Sequence, residues 1–182
     1  TRYYVKNAEA NGPIVTIADT LQSSLAIDMA GDQMVIETNW QAPNHRILAA
    51  DARKPQPQFW KTIVPESPDA VIENVSLAGG RLYVNVLQNV TTHLRVYSLD
   101  GTAGGEVPLP GIGSASGMSG EWDGKEGFFQ FASFNRPPTI YRYDLTSGNA
   151  GPWWKSSAPF DADAYEVRQF SIRSTGGAKV PF

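Results

Sequence analysis

His45 and His93 are the only two histidines in the chain, and so the only imidazoles available as a general base or metal ligand. They do not stand at ligand spacing. Each precedes a strand-like run, where a turn or strand-edge position accounts for it. Cysteine is absent, which removes a thiolate nucleophile, thiolate zinc sites and a disulfide framework. A serine nucleophile of the hydrolase type requires Gly-x-Ser-x-Gly on a strand-to-helix turn. In Gly113-Ser114-Ala115-Ser116-Gly117 the nucleophile position is Ala115, and Gly117-Met118-Ser119-Gly120 is one residue short. No helix-forming stretch follows, so a tightly packed inner strand explains the Gly/Ser run.

The remaining candidates are weaker. Asp161 and Asp163, with Glu166 close behind, offer carboxylates for a hard cation, but calcium loops need more oxygen ligands at tighter spacing and usually a central glycine. A solvated linker fits them better. Asn74-Val75-Ser76 and Asn89-Val90-Thr91 match the glycosylation acceptor pattern, which matters only in a protein secreted from a eukaryotic cell. Trp122-Asp123 sits in a turn rather than at a strand end. Trp60, Trp153 and Trp154 fall in outer strands, where aromatics cover seams between sheets more often than they stack on sugars. Catalytic, cofactor-binding and metal-binding residues are therefore all left unassigned.

At 182 residues, 41% hydrophobic and 18% charged, the chain is long enough to bury a core. A net charge of −3, with no Lys/Arg cluster, argues against nucleic acid as a partner. Apolar runs such as Met34–Ile36 are far short of the roughly 20 residues of a spanning helix, so no membrane partner is expected. No signal peptide is visible, and the compartment is left open between cytoplasm and periplasm. The chain starts at Thr1 and stops at Phe182 in an apolar strand. Both ends look cut, which suggests a segment of a longer chain.

The elements that would position these residues are strands. Glu126–Gly148 contains two apolar-aromatic runs joined at Pro137-Pro138, with Phe129, Phe131 and Ser133 on one face and Phe128, Gln130 and Ala132 on the other. Its ending recurs: runs closing at Asp51, Asp100 and Asp144 are each followed by a turn. An Asp there can cap its own backbone a residue or two on. Upstream of each Asp lies another strand after a turn, at Gly31-Asp32, Gly79-Gly80 and Asp123-Gly124. Before these come inner strands at Ser24–Met29, Val71–Ala78 and Gly113–Gly120.

Four antiparallel strands repeating every 40 to 50 residues or so are the signature of a β-propeller blade. The expected blades are 24–65, 70–109 and 113–159, with 3–19 supplying the outer strands of a preceding blade. No helix is expected, since 13 Pro and 17 Gly punctuate every window. Residues 167–182 form a hairpin that breaks the repeat.

With the blades laid out, the sequence resembles the prolyl oligopeptidases, serine peptidases that cleave short peptides after proline. The resemblance rests on Thr38-Asn-Trp-Gln-Ala-Pro-Asn-His-Arg-Ile-Leu48, Trp60-Lys-Thr-Ile-Val-Pro-Glu66 and Leu94-Arg-Val-Tyr-Ser-Leu-Asp-Gly101. It continues through Val107-Pro-Leu-Pro-Gly-Ile-Gly113, Gln130-Phe-Ala-Ser-Phe134, Pro138-Thr-Ile-Tyr-Arg-Tyr-Asp-Leu145 and Tyr165-Glu-Val-Arg-Gln169. It implies the last three blades, and part of the one before, of a seven-bladed propeller capping an α/β-hydrolase domain. On that expectation residues 1–162 are propeller and 163–182 are the connection and first hairpin of the hydrolase. The family's hairpin usually reads Asp-Gly-x-Lys-Val-Pro; Gly176 stands here in place of the Asp.

The resemblance places the family's nucleophile, acid and base beyond Phe182, so no site residue is carried over. It implies a steric gate that admits short proline-containing peptides, an acyl-enzyme mechanism elsewhere in the protein, and neither metal nor organic cofactor. The competing expectation is a stand-alone small propeller that binds a peptide or sugar in its channel or on its Trp-bearing rim. An open arc of blades would expose strand edges and associate.

Overall fold

A computed structural model describes residues 1–156 and 161–182. The expected last residue of the third blade, Pro159, lies outside the described residues. The described chain is all-β apart from two three-residue 3₁₀ turns, Pro57–Phe59 and Ala162–Ala164.

The chain opens with an antiparallel pair, β1 (Tyr3–Val5) and β2 (Val15–Ala18). Strands β3 (Leu25–Ala30), β4 (Gln33–Thr38), β5 (Arg46–Asp51) and β6 (Lys61–Val64) then form an antiparallel sheet in chain order. A second sheet of the same order contains β7 (Val71–Ala78), β8 (Arg81–Gln88), β9 (Thr91–Tyr97) and β10 (Ala103–Glu106). The third contains β11 (Ser114–Ala115) and β12 (Ser119–Gly120), both paired to β13 (Glu126–Ser133), followed by β14 (Arg136–Asp144) and β15 (Ala150–Lys155). A separate hairpin, β16 (Ser171–Arg173) with β17 (Lys179–Pro181), ends the chain. These meanders match the expected layout of four antiparallel strands per repeat.

Side-chain alternation assigns each strand face to a seam. On β4, Met34 and Ile36 pack towards the β1–β2 pair, in one apolar cluster with Ile17, Ala18 and Leu48. Val35, on the opposite face, joins Ile47, Ile72, Val75, Leu82, Val84 and Val86 between the first and second sheets. Tyr83 alternates away from Leu82 and Val84 into a third cluster with Leu94, Met118, Phe129, Phe131 and Tyr143. Each sheet thus contributes to the seam with its neighbour, and the core is a series of clusters between sheets.

Three details differ from the sequence expectation. Gly113–Gly120 is split into two short strands, because Ser116 turns its hydroxyl onto the β13 backbone and Gly117-Met118 interrupts the ladder. The turn between β13 and β14 is Phe134-Asn135; Pro137 and Pro138 lie inside β14 next to an irregularity in the register. Proline cannot donate to a ladder and is tolerated at such an interruption. His93 lies within β9, opposite Val86, rather than before it, because Asn89-Val90 form the turn and β9 starts at Thr91.

In an antiparallel meander, alternate connections lie at the same end. One end carries residues 39–45, 65–70, 89–90, 107–113 and 134–135. The bonds Ile72 N to Asn44 O and Thr92 N to Gly113 O, 3.0 and 3.1 Å, tie adjacent sheets together there. The opposite end carries 31–32, 79–80, 98–102, 121–125 and 145–149. There Gly79 N and Gly80 N donate to the carbonyls of Glu121 and Trp122 at 3.0 and 2.7 Å.

Candidate functional site

Both histidines have a carboxylate partner that sequence spacing did not suggest. His45 Nδ1 lies 2.8 Å from Glu37 Oε1, and Glu37 is 8% exposed on β4. His45 has a φ of +66°, so the pair fixes an unfavourable backbone at the entry to β5. The preceding residue, Asn44, holds the crossover to the second sheet: its amide N donates to Glu66 Oε1 at 2.6 Å and its Nδ2 to the Ser67 carbonyl at 3.0 Å. His93 Nδ1 lies 3.3 Å from Glu106 Oε2, and Arg95 Nε donates to the other oxygen, Oε1, at 3.2 Å. The signal that could have found this pair is register: Glu106 sits opposite Arg95, two residues from His93 on the same face. The two pairs belong to different sheets. Among the described residues no three His, Cys, Asp or Glu side chains gather as a metal site.

The Gly/Ser run is structural. Ser116 Oγ accepts from Gln130 N at 2.9 Å and donates to the Gly117 carbonyl at 3.0 Å. At Gly113, an added Cβ would lie 2.4 Å from the Ala132 carbonyl oxygen, so only glycine lets the inner strand approach β13 there. The acidic candidates diverge: Asp161 Oδ1 caps Asp163 N at 3.0 Å, Asp163 pairs with Arg136 at 2.6 Å, and Glu166 pairs with Arg168 at 2.6 Å. Their charges are met by backbone and arginine rather than aimed at one point.

The turn aspartates do what was expected of them. Asp51 Oδ1 accepts from Arg53 N at 2.8 Å, and Asp144 Oδ1 from Thr146 N and Ser147 N, both at 2.8 Å. Asp100 Oδ1 accepts from the Ser98 hydroxyl and from Thr102 N. These donors favour the ionised form. The Ser98 hydroxyl, followed by Thr102, brings Asp100 down from 3.8 to about 2. Arg53 N lowers Asp51, and Ser147 N with Thr146 N lowers Asp144.

The tryptophans divide. Trp60 is partly buried in the first seam, edge-on to Trp40 at 5.6 Å, and its Nε1 donates to the Pro55 carbonyl at 2.8 Å. Trp153 and Trp154 are 62% and 54% exposed on β15. A register shift beside Trp153 places it on the outer face of the third sheet, against Phe128 at 5.8 Å and under the Arg142 guanidinium at 5.7 Å. Trp154, opposite Ile140, shares that face.

An apolar concavity lies at the end that carries the 89–90 and 134–135 turns. It is a groove of about 740 Å³ between those turns and the C-terminal hairpin, with Val90, Ile112 and Phe134 on one wall and Val167, Pro181 and Phe182 on the other. Gln169 Nε2 donates to the Asn89 carbonyl across its edge. Nothing in it is a nucleophile paired with a base. It can hold an apolar surface, and no bond-making chemistry follows from its lining.

Comparison with known proteins agrees with this division between scaffold and chemistry. Residues 1–156 match the family model described as prolyl oligopeptidase, N-terminal β-propeller domain. The prolyl endopeptidase of Elizabethkingia miricola is 27% identical over 179 residues, 98% of this chain and 25% of that protein. The dual function macrocyclase-peptidase POPB of Galerina marginata is 27% identical over 156 residues, covering 83% of this chain and 21% of that one. A solved structure from work on two prolyl endopeptidases superposes with a TM-score of 0.87 at 30% identity, covering 99% of this chain and 26% of that chain. The apo structure of the Galerina marginata prolyl oligopeptidase B shares the fold, with a TM-score of 0.80 at 23% identity. The chain spans about a quarter of the length of the prolyl endopeptidases it matches. With the model covering its three meander sheets and their seams, the chain belongs to the prolyl oligopeptidase N-terminal β-propeller domain family.

Proposed function

We propose that this chain is the non-catalytic propeller segment of a prolyl oligopeptidase-type serine peptidase that hydrolyses short peptides after proline. In this reading the three meander sheets are the last three blades of a seven-bladed propeller, and the β1–β2 pair is the outer half of the blade before them. Residues 1–162 are propeller, and 163–182 lead into an α/β-hydrolase domain whose first hairpin is β16–β17. The observation that carries the reading is that the family match ends at residue 156, just past the Trp-bearing β15, while a hairpin of different character follows.

The propeller acts sterically. Among the described residues it presents no nucleophile with an adjacent base, and in this reading the acyl-enzyme chemistry belongs to residues outside these 182. Its contribution is a wall that an extended peptide can pass and a folded protein cannot. The relatives named prolyl endopeptidases and peptidases support a peptide substrate.

The test is a pair of proteins: the 182-residue chain and the longer protein encoded by its gene, each treated with a fluorophosphonate probe and a chromogenic Gly-Pro peptide. The longer protein is expected to be labelled and to turn over the peptide, and the 182-residue chain to do neither. Labelling of the 182-residue chain would overturn its non-catalytic role; absence of labelling in the longer protein would overturn the peptidase reading.

A further inference from the structure

The loop between β1 and β2 holds a reactive pair. Asn11 is the only asparagine in the chain that is followed by glycine. A glycine at that position leaves its amide nitrogen free of a neighbouring Cβ, so the nitrogen can approach the asparagine side-chain carbon closely. Asn11 is exposed, as are residues 6 to 10 before it, and has a φ of +46°, a left-handed conformation that asparagine tolerates better than most residues.

The side chain of Asn11 is also activated. Lys6 Nζ donates to Asn11 Oδ1 at 2.8 Å. An ammonium on that oxygen polarises the Cγ–Oδ1 bond and stands where negative charge collects when a nucleophile adds to Cγ. The nucleophile itself is restrained: Gly12 N donates to the Asn7 carbonyl at 3.0 Å, closing a turn that Asn7 Oδ1 also holds through Ala10 N at 2.9 Å. These bonds lie in an exposed hairpin loop and open at low cost. Ser24 N donates to Asn39 Oδ1 and Thr38 Oγ1 to the Ser24 carbonyl, so the β2–β3 connection sits at the 39–45 end. The Asn11 loop is at the other end of β2, away from the C-terminal hairpin, and stays open to water.

We propose that Asn11-Gly12 is a site of spontaneous backbone modification, in which Gly12 N closes onto Asn11 Cγ with Lys6 as the oxyanion donor. The N–Cγ bond forms as the Gly12 amide proton passes to water. The Cγ–Nδ2 bond then breaks, and Nδ2 takes up a proton and leaves as ammonia, which produces a cyclic imide. Water opens the imide at either carbonyl. Opening at Cγ gives aspartate; opening at the Asn11 backbone carbonyl gives β-linked isoaspartate, with an extra methylene in the main chain. Water has replaced ammonia, a carboxylate is gained beside Lys6, and nothing is oxidised or reduced.

The test is incubation of the purified full chain in mildly alkaline buffer, followed by peptide mapping that separates the asparagine, aspartate and isoaspartate forms. Conversion is expected at Asn11. None is expected at Asn89, which is also exposed and left-handed, at φ +50°, but is followed by the branched Val90. G12A is expected to slow conversion about tenfold or more by crowding the attacking nitrogen. The turn accommodates that change, since an added Cβ meets only Asn7 Cβ at 3.6 Å and the Asn7 carbonyl oxygen at 3.8 Å. K6M is expected to slow conversion severalfold, and N7A, which removes the anchor on Ala10, to speed it. An unconverted Asn11, or conversion there no faster than at Asn89, would overturn the site. Unchanged conversion in K6M would overturn the part assigned to Lys6, and unchanged conversion in N7A the restraint assigned to the turn.

Discussion

The ring of Tyr83 on β8 meets that of Tyr143 on β14 edge-on, with centroids 6.1 Å apart and planes at 83°, across the seam between the second and third sheets. Tyr83 is 1% exposed and is among the largest fully buried side chains. The pair sits in the apolar cluster that joins these two sheets, beside the backbone bonds from Gly79 and Gly80 to the Glu121 and Trp122 carbonyls. Tyr83→Ala is expected to destabilise the protein by about 3–5 kcal/mol, the usual cost of emptying a buried aromatic site. Tyr83→Phe keeps the ring contact and should cost much less. Denaturant unfolding of the two variants checks this, and equal losses would show that the ring does not hold the seam.

The same burial has an alkaline signature. Burial, with Tyr143 adding to it, raises the Tyr83 phenol from 10 to about 12, and burial raises Tyr143 as well. A group whose folded pKa is raised contributes stability that is complete below the unfolded pKa and is lost as pH rises through the folded value. Stability should therefore fall between about pH 10 and 12, and Tyr83→Phe should flatten that fall. Ultraviolet titration of the phenols beside unfolding curves at each pH gives the comparison.

Acid acts on the turns instead. The Ser98 hydroxyl and Thr102 N hold Asp100 at about 2, and Asp51 and Asp144 are lowered by their own turn donors. For depressed carboxylates, stability is complete above the unfolded pKa and is lost as pH falls through the folded one. The loss should thus run from roughly pH 4 down to 2. Asp100→Asn, which cannot gain this proton, is expected to decline less steeply over that interval. An unchanged slope in acid unfolding would remove Asp100 from the account.

What was legible in the sequence follows from which forces are local. Period-two alternation and the Asp-capped turns are local, and they located every sheet: Val71–Ala78 was bounded to the residue, and the caps at Asp51, Asp100 and Asp144 formed as expected. The broken inner strand was less visible, because a Gly/Ser run states that space is tight without saying where the ladder fails. Neither Glu37–His45 nor Glu106–His93 was readable, since both depend on cross-strand register. The groove was invisible for the same reason: Val90, Ile112, Phe134 and Phe182 are far apart in sequence and share only an end of the meanders.

Glycines that look alike in the sequence should separate sharply by context. Gly31 and Gly101 both follow a strand or its turn and both have positive φ, +61° and +88°. An added Cβ at Gly31 meets nothing within 4 Å, whereas at Gly101 it would lie 2.1 Å from the Ile63 carbonyl oxygen on β6 of the neighbouring sheet. Gly31→Ala is therefore expected to cost only the left-handed backbone penalty, about 1–2 kcal/mol. Gly101→Ala adds a clash with backbone that cannot swing aside, so the second sheet must move off the first and the loss should be clearly larger. Side-by-side thermal unfolding of the two variants measures the difference. If Gly101→Ala costs no more than Gly31→Ala, the close approach of the Ser98–Thr102 turn to β6 does not contribute to the seam.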